Sequence, residues 1–329
     1  MSELEKIGYV VVTFIFMSGM FALYIDGKNI FYFFRRRYLA GKNRALPQIG
    51  KLDNILKWSC LGYTFLGAFA LFYGFKIEPG ILDVNTMHLS SSKMSSNQTL
   101  KIAHLTDLHI EGKRDIHDEI VTELQRSPPD LIFLTGDYVN LSTSLNVFEE
   151  FCSRISRLAP VFAVDGNWEN GHYTDRIFKN TGIHYIEDKT EQFSVRGISL
   201  NLIGVPFNDE RSCKKMMDKL STDTVNIILT HTPDLIPLAS SAEKVDFYFC
   251  GHTHGGQVRL PVYGALVTLC ETGKKYEMGL YRENNMYAYT NRGVGMEGGA
   301  APRVRFLAPP ELAFFEISGE RREIAKDQE

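Results

Sequence analysis

The sequence predicts an α/β protein in which strands and helices alternate, preceded by an apolar N-terminal region. Two observations predict this class. Apolar runs of strand length alternate with segments of helical periodicity through residues 98–318. Five of those runs are followed by Asp, Asn or His, at the position where α/β sheets place their binding crevices. Mixed βα units with a β-rich end are typical of a layered α/β sandwich.

The composition fits a globular protein and argues against some partners. The chain has 329 residues, of which 44% are hydrophobic and 23% are charged, values usual for globular domains. Its net charge of −3 argues against nucleic-acid binding, which generally uses a basic face. The five cysteines are scattered and form no C-x-x-C pair. This pattern argues against a disulfide framework and favours a reducing compartment.

Residues 1–80 are predicted to associate with a membrane. Two runs, 9–25 and 58–75, contain no charged residue, and each is close to the shortest helix that crosses the hydrocarbon. A buried helical hairpin is the alternative for both runs. A signal peptide is a second alternative for the first run, but Glu3 and Glu5 precede it and no clear small-residue cleavage site follows.

The connector between the two runs is basic, which the positive-inside rule associates with the cytoplasm. If both runs cross the membrane, the rest of the chain lies outside; if the second lies in the interface, the rest stays inside. Residues 81–97 are predicted to be a linker and residues 319–329 a polar tail. The connector's basic residues are Lys28, Arg35, Arg36, Arg37, Lys42, Arg44, Lys51 and Lys57.

Residues 98–318 are predicted to form the catalytic region. Strands are predicted at 101–106, 130–135, 160–164, 225–230 and 245–250, with a hairpin at 192–205 and mostly β structure at 279–317. Helices are predicted at 115–126, 145–158 and 234–241, with a further short helix starting at Thr174.

Seven polar residues follow the ends of the predicted strands. Each alone has a structural explanation, since Asp and Asn often begin helices and a histidine before Thr-Pro fits a plain turn. Together they are expected to converge, because the carboxyl ends of the strands in an open α/β sheet line one crevice. The seven residues are Asp107, His109, Asp137, Asn167, His231, His252 and His254.

This set of side chains predicts a two-metal site. Carboxylate, imidazole and amide oxygen ligands suit Mn²⁺, Fe²⁺ or Zn²⁺, and the lack of cysteine ligands excludes a thiolate zinc centre. Mn²⁺ is the expected ion. Two neighbouring ions need one bridging carboxylate and share a water whose lowered pKa makes hydroxide available for attack on phosphorus. The sequence therefore predicts a hydrolase acting on phosphate esters or anhydrides.

The motifs resemble those of the calcineurin-like metallophosphoesterases. D-x-H at 107–109, G-D at 136–137, G-N at 166–167, a lone histidine at 231 and G-H-x-H at 251–254 occur in that family's order. The resemblance covers about residues 98–318, and the closing stretch from N-R-G-V-G to P-P-E-L resembles the membrane-linked YaeI/YkuE branch.

The resemblance implies a fold and a role for each ligand. The implied fold is a four-layer αββα sandwich with N-terminal hydrophobic membrane helices added. Asp137 would bridge the two metals. One metal would be held by Asp107, His109 and His254, and the other by Asn167, His231 and His252.

The chain departs from the family pattern at two positions. Asn140 stands where G-D-x-x-D is common, and Trp168 stands where G-N-H is usual. The family's histidine contacts the scissile phosphate and can protonate the leaving oxygen. A phosphate leaving group, with a second pKa near 6, needs little protonation, so the departure predicts a pyrophosphate substrate. His172 is the alternative acid, or else an exposed loop residue; it joins Asp137, Asn167 and His252 as a predicted catalytic residue.

A membrane-linked pyrophosphatase of this kind resembles the UDP-2,3-diacylglucosamine pyrophosphatases of lipid A biosynthesis. The resemblance implies hydrolysis to UMP and 2,3-diacylglucosamine 1-phosphate at the cytoplasmic face of a bacterial inner membrane. The partners would be this lipid-linked nucleotide and membrane lipids, and no protein partner is predicted. One alternative is a phosphodiesterase acting on envelope phosphodiesters outside the membrane. Another is a non-catalytic membrane scaffold.

Four basic residues near the C-terminal strands and one aromatic residue are candidate substrate contacts. Arg292 and Arg303, with Arg305 and Lys274, could pair with diphosphate oxygens; the alternative for each is a solvated charge at a strand edge. Trp168 could stack on uracil or pack against the protein.

Overall fold

A computed structural model describes residues 3–42, 44, 50–169, 177–179, 181–298 and 303–320. The chain divides into two compact units, Met1–Ile77 and Glu78–Glu329. Each unit is described below by itself.

The first unit contains two long helices, Glu3–Ala40 (α1) and Lys51–Phe72 (α2). A hydrogen bond from Thr64 to Asp26 joins them. Their apolar side chains remain largely exposed, as at Phe65 and Leu66, so they do not form the buried hairpin considered above. In the described part of the chain, one continuous helical stretch is long and apolar enough to cross a membrane by length and composition. It is Lys51–Gly80, which starts with α2 and continues through two short helical turns.

The second unit begins with a strand where the sequence predicts a linker. Asp83–Ser91 pairs in parallel with Glu311–Gly319 at the edge of a sheet. The linker prediction for 81–97 is therefore wrong over these residues. The polar composition of this stretch is explained by its place in the sheet, because an edge strand leaves many of its side chains in solvent.

The strands and helices of the second unit largely match the predicted elements. The strands are Asp83–Ser91 (β1), Thr99–Leu105 (β2), Leu131–Thr135 (β3), Val161–Val164 (β4), Ile183–Tyr185 (β5), Lys189–Val195 (β6), Ile198–Gly204 (β7), Val225–Leu229 (β8), Phe247–Cys250 (β9), Arg259–Leu260 (β10), Gly264–Ala265 (β11), Gly279–Glu283 (β12), Met286–Thr290 (β13) and Glu311–Gly319 (β14). The helices are Asp115–Arg126 (α3), Leu145–Ile155 (α4), Glu210–Met217 (α5) and Ile236–Ser241 (α6).

Two six-stranded sheets form the centre of the second unit. The first has the order β1-β14-β2-β3-β4-β5, and the second has the order β12-β13-β9-β8-β7-β6. β2, β3, β4 and β5 run parallel, as do β7, β8, β9 and β13. Antiparallel pairs occur at β14–β2, β12–β13 and β6–β7. The fold is therefore a mixed α/β structure.

Alternating side chains of each sheet supply three apolar layers. Ile102 and Phe133 of the first sheet pack against Ile227 and Phe249 of the second in the central layer. The opposite face of the first sheet packs against α3 and α4, and the opposite face of the second against α5 and α6. Because neighbouring residues of a strand point to opposite faces, the layer order is helix, sheet, sheet, helix.

Some sequence predictions lie outside the described residues. The short helix starting at Thr174 and the candidate acid His172 fall in 170–176, and most of the predicted tail falls in 321–329. The sequence analysis missed α5, a helix of 8 residues whose apolar side is limited to Cys213, Met216 and Met217.

Candidate dinuclear metal centre

The seven predicted ligands follow strands that are neighbours in the two sheets. β2, β3 and β4 are adjacent and parallel, and so are β8 and β9. Their carboxyl ends therefore lie along one edge of each sheet. The ligands are Asp107 and His109 after β2, Asp137 after β3, Asn167 after β4, His231 after β8, and His252 with His254 after β9.

The backbone at this edge is unusual for residues with side chains. Five of the seven candidate ligands adopt left-handed backbone angles, which non-glycine residues rarely do. Such conformations cost free energy and occur mainly where the surrounding structure holds a functional site. The five φ angles are 48° at Asp107, 40° at His109, 57° at Asp137, 71° at His252 and 50° at His254.

The first cluster contains Asp107, His109 and His254, all buried. His254 Nε2 lies 3.1 Å from Asp107 Oδ1 and 3.2 Å from His109 Nε2. One ligand atom from each residue lies within 4.8 Å of the others, so the three can reach one metal ion.

The second cluster contains Asp137, His231 and His252. His231 Nε2 lies 3.1 Å from Asp137 Oδ2, and His109 Nε2 of the first cluster lies 3.6 Å from the same oxygen. The rings of His231 and His252 are 5.0 Å apart between centroids. The carboxylate of Asp137 therefore lies within reach of both clusters, as a bridging ligand requires.

The donor atoms of the site fit divalent metal ions. Asn167 Oδ1 is buried and has no hydrogen-bond partner among the described residues, and Asp107 Oδ1 and His231 Nε2 face only other candidate ligands, His254 and Asp137. Buried polar atoms are nearly always hydrogen-bonded, so an unpaired amide oxygen beside ligand atoms that face one another fits a bound cation. Oxygen and imidazole donors of this type suit Mn²⁺, Fe²⁺ or Zn²⁺.

Hydrogen bonds from the other ring nitrogens orient two of the histidines. His109 Nδ1 lies 2.5 Å from Asn140 Oδ1, and His231 Nδ1 lies 2.6 Å from the carbonyl oxygen of Thr135. An oxygen acceptor at Nδ1 fixes the proton there and leaves Nε2 free to bind metal. Asn140, which replaces the carboxylate common in the family, thus supplies the acceptor with its amide oxygen.

A side-chain hydroxyl and a main-chain N–H orient the carboxylate of Asp107. Its Oδ2 accepts hydrogen bonds from Thr106 Oγ1 at 2.8 Å and from the N–H of His252 at 3.0 Å. This leaves Oδ1 for a cation and ties the loop after β9 directly to the loop after β2.

The electrostatics of the site favour a positive charge at its centre. Burial opposes ionisation of Asp107 and Asp137, but the facing imidazoles, His254 for Asp107 and His231 for Asp137, lower the pKa of each carboxyl below its ordinary value. Burial also disfavours a charged His231, yet Asp137 and Asp107 raise its pKa to about 10. The field of two carboxylates that retains a proton on His231 is also the field that attracts divalent cations.

Glu169 holds together the two loops that follow β3 and β4. Its buried carboxylate accepts the N–H groups of Asp137 at 2.9 Å, Tyr138 at 2.8 Å and Gly166 at 2.8 Å. The contact is so close that a Cβ at Gly166 would lie 2.1 Å from Asp137 Oδ1. Asn167, the next residue, is thereby fixed beside Asp137. Sequence analysis missed this role of Glu169, although its place in G-N-W-E was a usable signal.

Two half-buried aromatic rings border the clusters. Trp168 packs edge-on against His109, with 5.4 Å between ring centroids. Its main-chain N–H donates a hydrogen bond to Asp137 Oδ1 at 2.9 Å. Phe207 lies 5.1 Å from the ring of His252. Phe207 follows β7 in a Pro-Phe-Asn loop, and the sequence analysis did not single it out.

A further carboxylate, Glu297, was also missed. It is half-buried; burial raises its pKa, while His254 lowers it and Asp137 raises it further. Its carbonyl oxygen accepts a hydrogen bond from Gln257 Nε2 at 3.2 Å, just after His254 in the chain. Its position could not be deduced from spacing, because it lies in an irregular loop after β13.

The arginines predicted to bind substrate have other partners in the structure. The guanidinium of Arg292 is buried and pairs with Glu311 at 3.1 Å and with Asp83 at 2.5 Å. Arg303 pairs with Glu111. Two carboxylates occupy the buried guanidinium of Arg292, so we leave Arg292 out of the substrate contacts proposed below. Arg303 is partly exposed and uses one nitrogen for Glu111, so its contact with substrate stays a prediction.

The remaining two basic candidates are also engaged by the protein. Lys274 Nζ donates to the carbonyl oxygens of Tyr263 and Ala265 at 2.6 and 2.7 Å. Arg305 is completely buried. Neither is a solvated charge at a strand edge.

A layered α/β fold whose sheet edges unite two carboxylate–imidazole clusters defines the class of metal-dependent phosphoesterases. Residues 100–256 match the calcineurin-like phosphoesterase family model. The chain is 30% identical over 251 residues to the phosphodiesterase YaeI of Escherichia coli, covering 73% of this chain and 90% of YaeI.

Two further relatives extend the comparison. The chain is 26% identical over 265 residues to YkuE, an uncharacterised metallophosphoesterase of Bacillus subtilis, covering 74% of this chain and 89% of YkuE. It is 28% identical over 304 residues to the UDP-2,3-diacylglucosamine pyrophosphatase LpxG of Chlamydia trachomatis, covering 72% of this chain and 89% of LpxG. The chain therefore belongs to the calcineurin-like metallophosphoesterases, and it is a hydrolase.

Proposed function

We propose that this chain is a membrane-associated pyrophosphatase that hydrolyses UDP-2,3-diacylglucosamine to UMP and 2,3-diacylglucosamine 1-phosphate. The proposal places it at the cytoplasmic face of a bacterial inner membrane, with Mn²⁺ as the expected metal. The similarity to LpxG and the exposed apolar surface of α2 support a lipid-linked substrate.

The proposal rests on the position of Trp168. This residue lies beside His109 and Asp137, where the family usually places a histidine that can protonate a leaving group. An indole cannot donate a proton to an alkoxide, but a phosphate leaving group is stable without one. The site is therefore suited to breaking a pyrophosphate, and the exposed part of the indole offers a face for a uracil ring.

The proposed roles of the ligands follow from their geometry. Asp107, His109 and His254 would hold one ion, Asn167, His231 and His252 would hold the other, and Asp137 would bind both. When bound, such a pair supplies Lewis-acid stabilisation of phosphoryl charge and lowers the pKa of a shared water. The protein's part is to fix these side chains before substrate arrives, through Asn140, Thr135 and Glu169.

The test is a comparison of two substrates with the full chain in detergent micelles and Mn²⁺. We expect cleavage of UDP-2,3-diacylglucosamine to UMP and the sugar 1-phosphate, and slower cleavage of a simple alkyl phosphodiester. ¹⁸O-labelled water would show which phosphorus is attacked. Asp137→Ala is the inactive control, since it removes the carboxylate shared by both clusters.

Faster turnover of the alkyl diester would contradict the pyrophosphatase proposal. It would favour the second candidate, a phosphodiesterase acting on envelope phosphodiesters, for which the 30% identity to YaeI is the supporting observation. The non-catalytic scaffold has no such support, because the two clusters are complete.

A further inference from the structure

A buried arginine lies directly behind the first metal-ligand cluster. Arg305 is fully buried, and no carboxylate among the described residues forms an ion pair with it. A buried charge without a counter-ion is costly unless hydrogen bonds satisfy it. Here main-chain carbonyl groups do so. The guanidinium donates to the oxygens of Gly295 at 2.9 and 2.5 Å, Ala308 at 2.7 Å, Arg292 at 2.9 Å and Gly293 at 3.0 Å.

Three of the four residues whose carbonyl groups bind Arg305, namely Arg292, Gly293 and Gly295, belong to a loop that rests on two metal ligands. The N–H of Gly295 donates to the carbonyl oxygen of Asp107 at 2.6 Å, and the N–H of Val294 donates to it at 3.2 Å. A Cβ at Gly293 would lie 2.4 Å from Cβ of Asp107, and a Cβ at Gly295 would lie 2.6 Å from Cβ of His109. The loop 293–295 therefore packs in direct contact with the strained turn 107–109.

The same guanidinium also contacts the third ligand of that cluster. Arg305 Nη2 lies 3.5 Å from His254 Nδ1. His109 and His231 have oxygen acceptors at this ring nitrogen, but His254 faces the edge of the guanidinium instead. Arg305 thus contacts His254 directly and reaches Asp107 and His109 through the loop 293–295, whereas none of its hydrogen bonds goes to the segments after β3 and β8 that carry Asp137 and His231.

Glu78 supports Arg305 from the other side. Its buried carboxylate accepts the N–H groups of Leu307, at 2.9 Å, and Ala308. Ala308 in turn accepts a hydrogen bond from Arg305. Glu78 therefore fixes the segment on the C-terminal side of Arg305.

We propose that Arg305 is the positioning residue for one of the two metal positions, the one formed by Asp107, His109 and His254. It holds the loop 293–295 against the turn 107–109 and packs against the Nδ1 edge of His254. This inference rests on the dinuclear site of the proposed function. It predicts that the two metal positions respond differently to substitution of Arg305.

The test is Mn²⁺ binding to the metal-free full chain, measured by calorimetry and by the exchange-coupled electron paramagnetic resonance signal of a Mn²⁺ pair. We expect two ions per wild-type chain. Loss of groups that orient metal ligands typically weakens binding by about 10–100-fold. Arg305→Met should therefore bind one ion with wild-type affinity and the other at least about tenfold more weakly, and the coupled signal should be lost at concentrations that fill the wild type.

Two further variants keep the test decisive. Arg305→Lys retains the charge but not the planar fork, so it should weaken the same ion to an intermediate degree; it replaces Arg305→Met if that variant does not fold. Lys93→Met is the control, since Lys93 also donates to main-chain carbonyls, those of Thr224 and Lys244, outside the ligand loops. It should bind both ions as the wild type does.

Three results would overturn the positioning role. They are wild-type binding of both ions by Arg305→Lys, equal weakening of both ions by the Arg305 variants, or the same weakening by Lys93→Met. A wild-type chain that binds fewer than two ions would instead overturn the dinuclear site on which the proposed function depends.

Discussion

Asn140 illustrates how a single atom preserves the geometry of a metal ligand. The sequence marks this residue as a departure from the family pattern, because an amide replaces a carboxylate. The structure shows that its Oδ1 still accepts from His109 Nδ1 at 2.5 Å, while its amide nitrogen donates to Glu111 at 2.9 Å. The amide therefore fixes the same histidine tautomer without adding a negative charge.

Two substitutions of Asn140 should show whether metal binding needs only an oxygen acceptor for His109 or needs the amide group as such. We expect Asn140→Ala to weaken Mn²⁺ binding by about 10–100-fold, because His109 loses the group that orients it. Asn140→Asp keeps an oxygen acceptor and should bind Mn²⁺ within about threefold of the wild type. Calorimetric titration of the metal-free variants with Mn²⁺ measures both affinities. An equal loss of Mn²⁺ affinity in the two variants would show that the oxygen acceptor does not determine metal binding.

Trp168 is the residue on which substrate choice is expected to depend. Its indole ring borders His109, and the main-chain bond to Asp137 fixes the residue's position whatever side chain it carries. A histidine at this position could therefore occupy the same side of the site.

We expect Trp168→His to raise kcat for an alkyl phosphodiester by about tenfold or more, since general acid catalysis typically contributes 10²–10⁴-fold. Turnover of UDP-2,3-diacylglucosamine should not rise. Steady-state kinetics on both substrates measure the change, with Trp168→Phe as the control that lacks a proton donor. An equal gain on the pyrophosphate substrate would contradict the leaving-group argument.

At the level of the elements, the strand ends could be predicted and the loops that support them could not. The apolar runs of β2, β3, β4, β8 and β9 are read directly from the sequence, and the parallel arrangement brings their polar ends to one edge. The family resemblance implies Asp107, His109 and His254 at one metal and Asn167, His231 and His252 at the other, with Asp137 as the bridge. In the structure the first three residues form one cluster, and Asp137 lies with His231 and His252 in the second.

The missed features depend on contacts between residues distant in the chain. The composition of β1 predicts a linker, because its partner strand β14 lies more than 200 residues further along the chain and cannot be identified from local sequence. The sequence predicts Arg292 as a substrate contact, because its ion-pair partners Asp83 and Glu311 become neighbours only when β1 and β14 pair in the fold. Local composition cannot reveal such partners, since burial is a property of the whole fold.

The connection between β5 and β6 contains a half-buried carboxyl that should make stability depend on pH. Glu187 accepts the N–H of Asp165 at 3.0 Å, and burial, with Asp165 nearby, raises its pKa to about 8. In the unfolded chain the pKa returns to about 4.3. Between these values the folded protein binds more protons, so the free energy of unfolding falls as the pH rises.

Glu187→Gln should remove this pH dependence. From pH 6 to pH 8 we expect the wild type to lose up to about 2 kcal/mol of stability relative to Glu187→Gln. Thermal or denaturant unfolding at both pH values measures the difference, with the neighbouring, exposed Asp188→Asn as control. Parallel pH profiles for the wild type and Glu187→Gln would contradict the pKa shift.

For the whole molecule, the exposed apolar surface of α2 is the feature that the globular fold does not explain. Leu66 and Phe69 are largely exposed in the helix that is long and apolar enough to cross a membrane. We expect the full chain to fractionate with membranes. Arginine at the centre of a membrane helix costs about 2.5–3.5 kcal/mol per residue.

Leu66→Arg combined with Phe69→Arg should therefore shift the chain to the soluble fraction on ultracentrifugation. Leu280→Arg, an exposed position in the second unit, is the control and should remain with the membranes. Recovery of the wild type in the soluble fraction would refute membrane association while leaving the metal centre untouched.

The most direct measurement of the central claim is anomalous X-ray scattering at the manganese edge from crystals of the Mn²⁺-loaded chain. We expect two peaks roughly 3.5–4 Å apart, one bounded by Asp107, His109 and His254 and the other by His231 and His252, with the Asp137 carboxylate between them. A single peak, or a second peak beyond the reach of Asp137, would contradict the dinuclear centre.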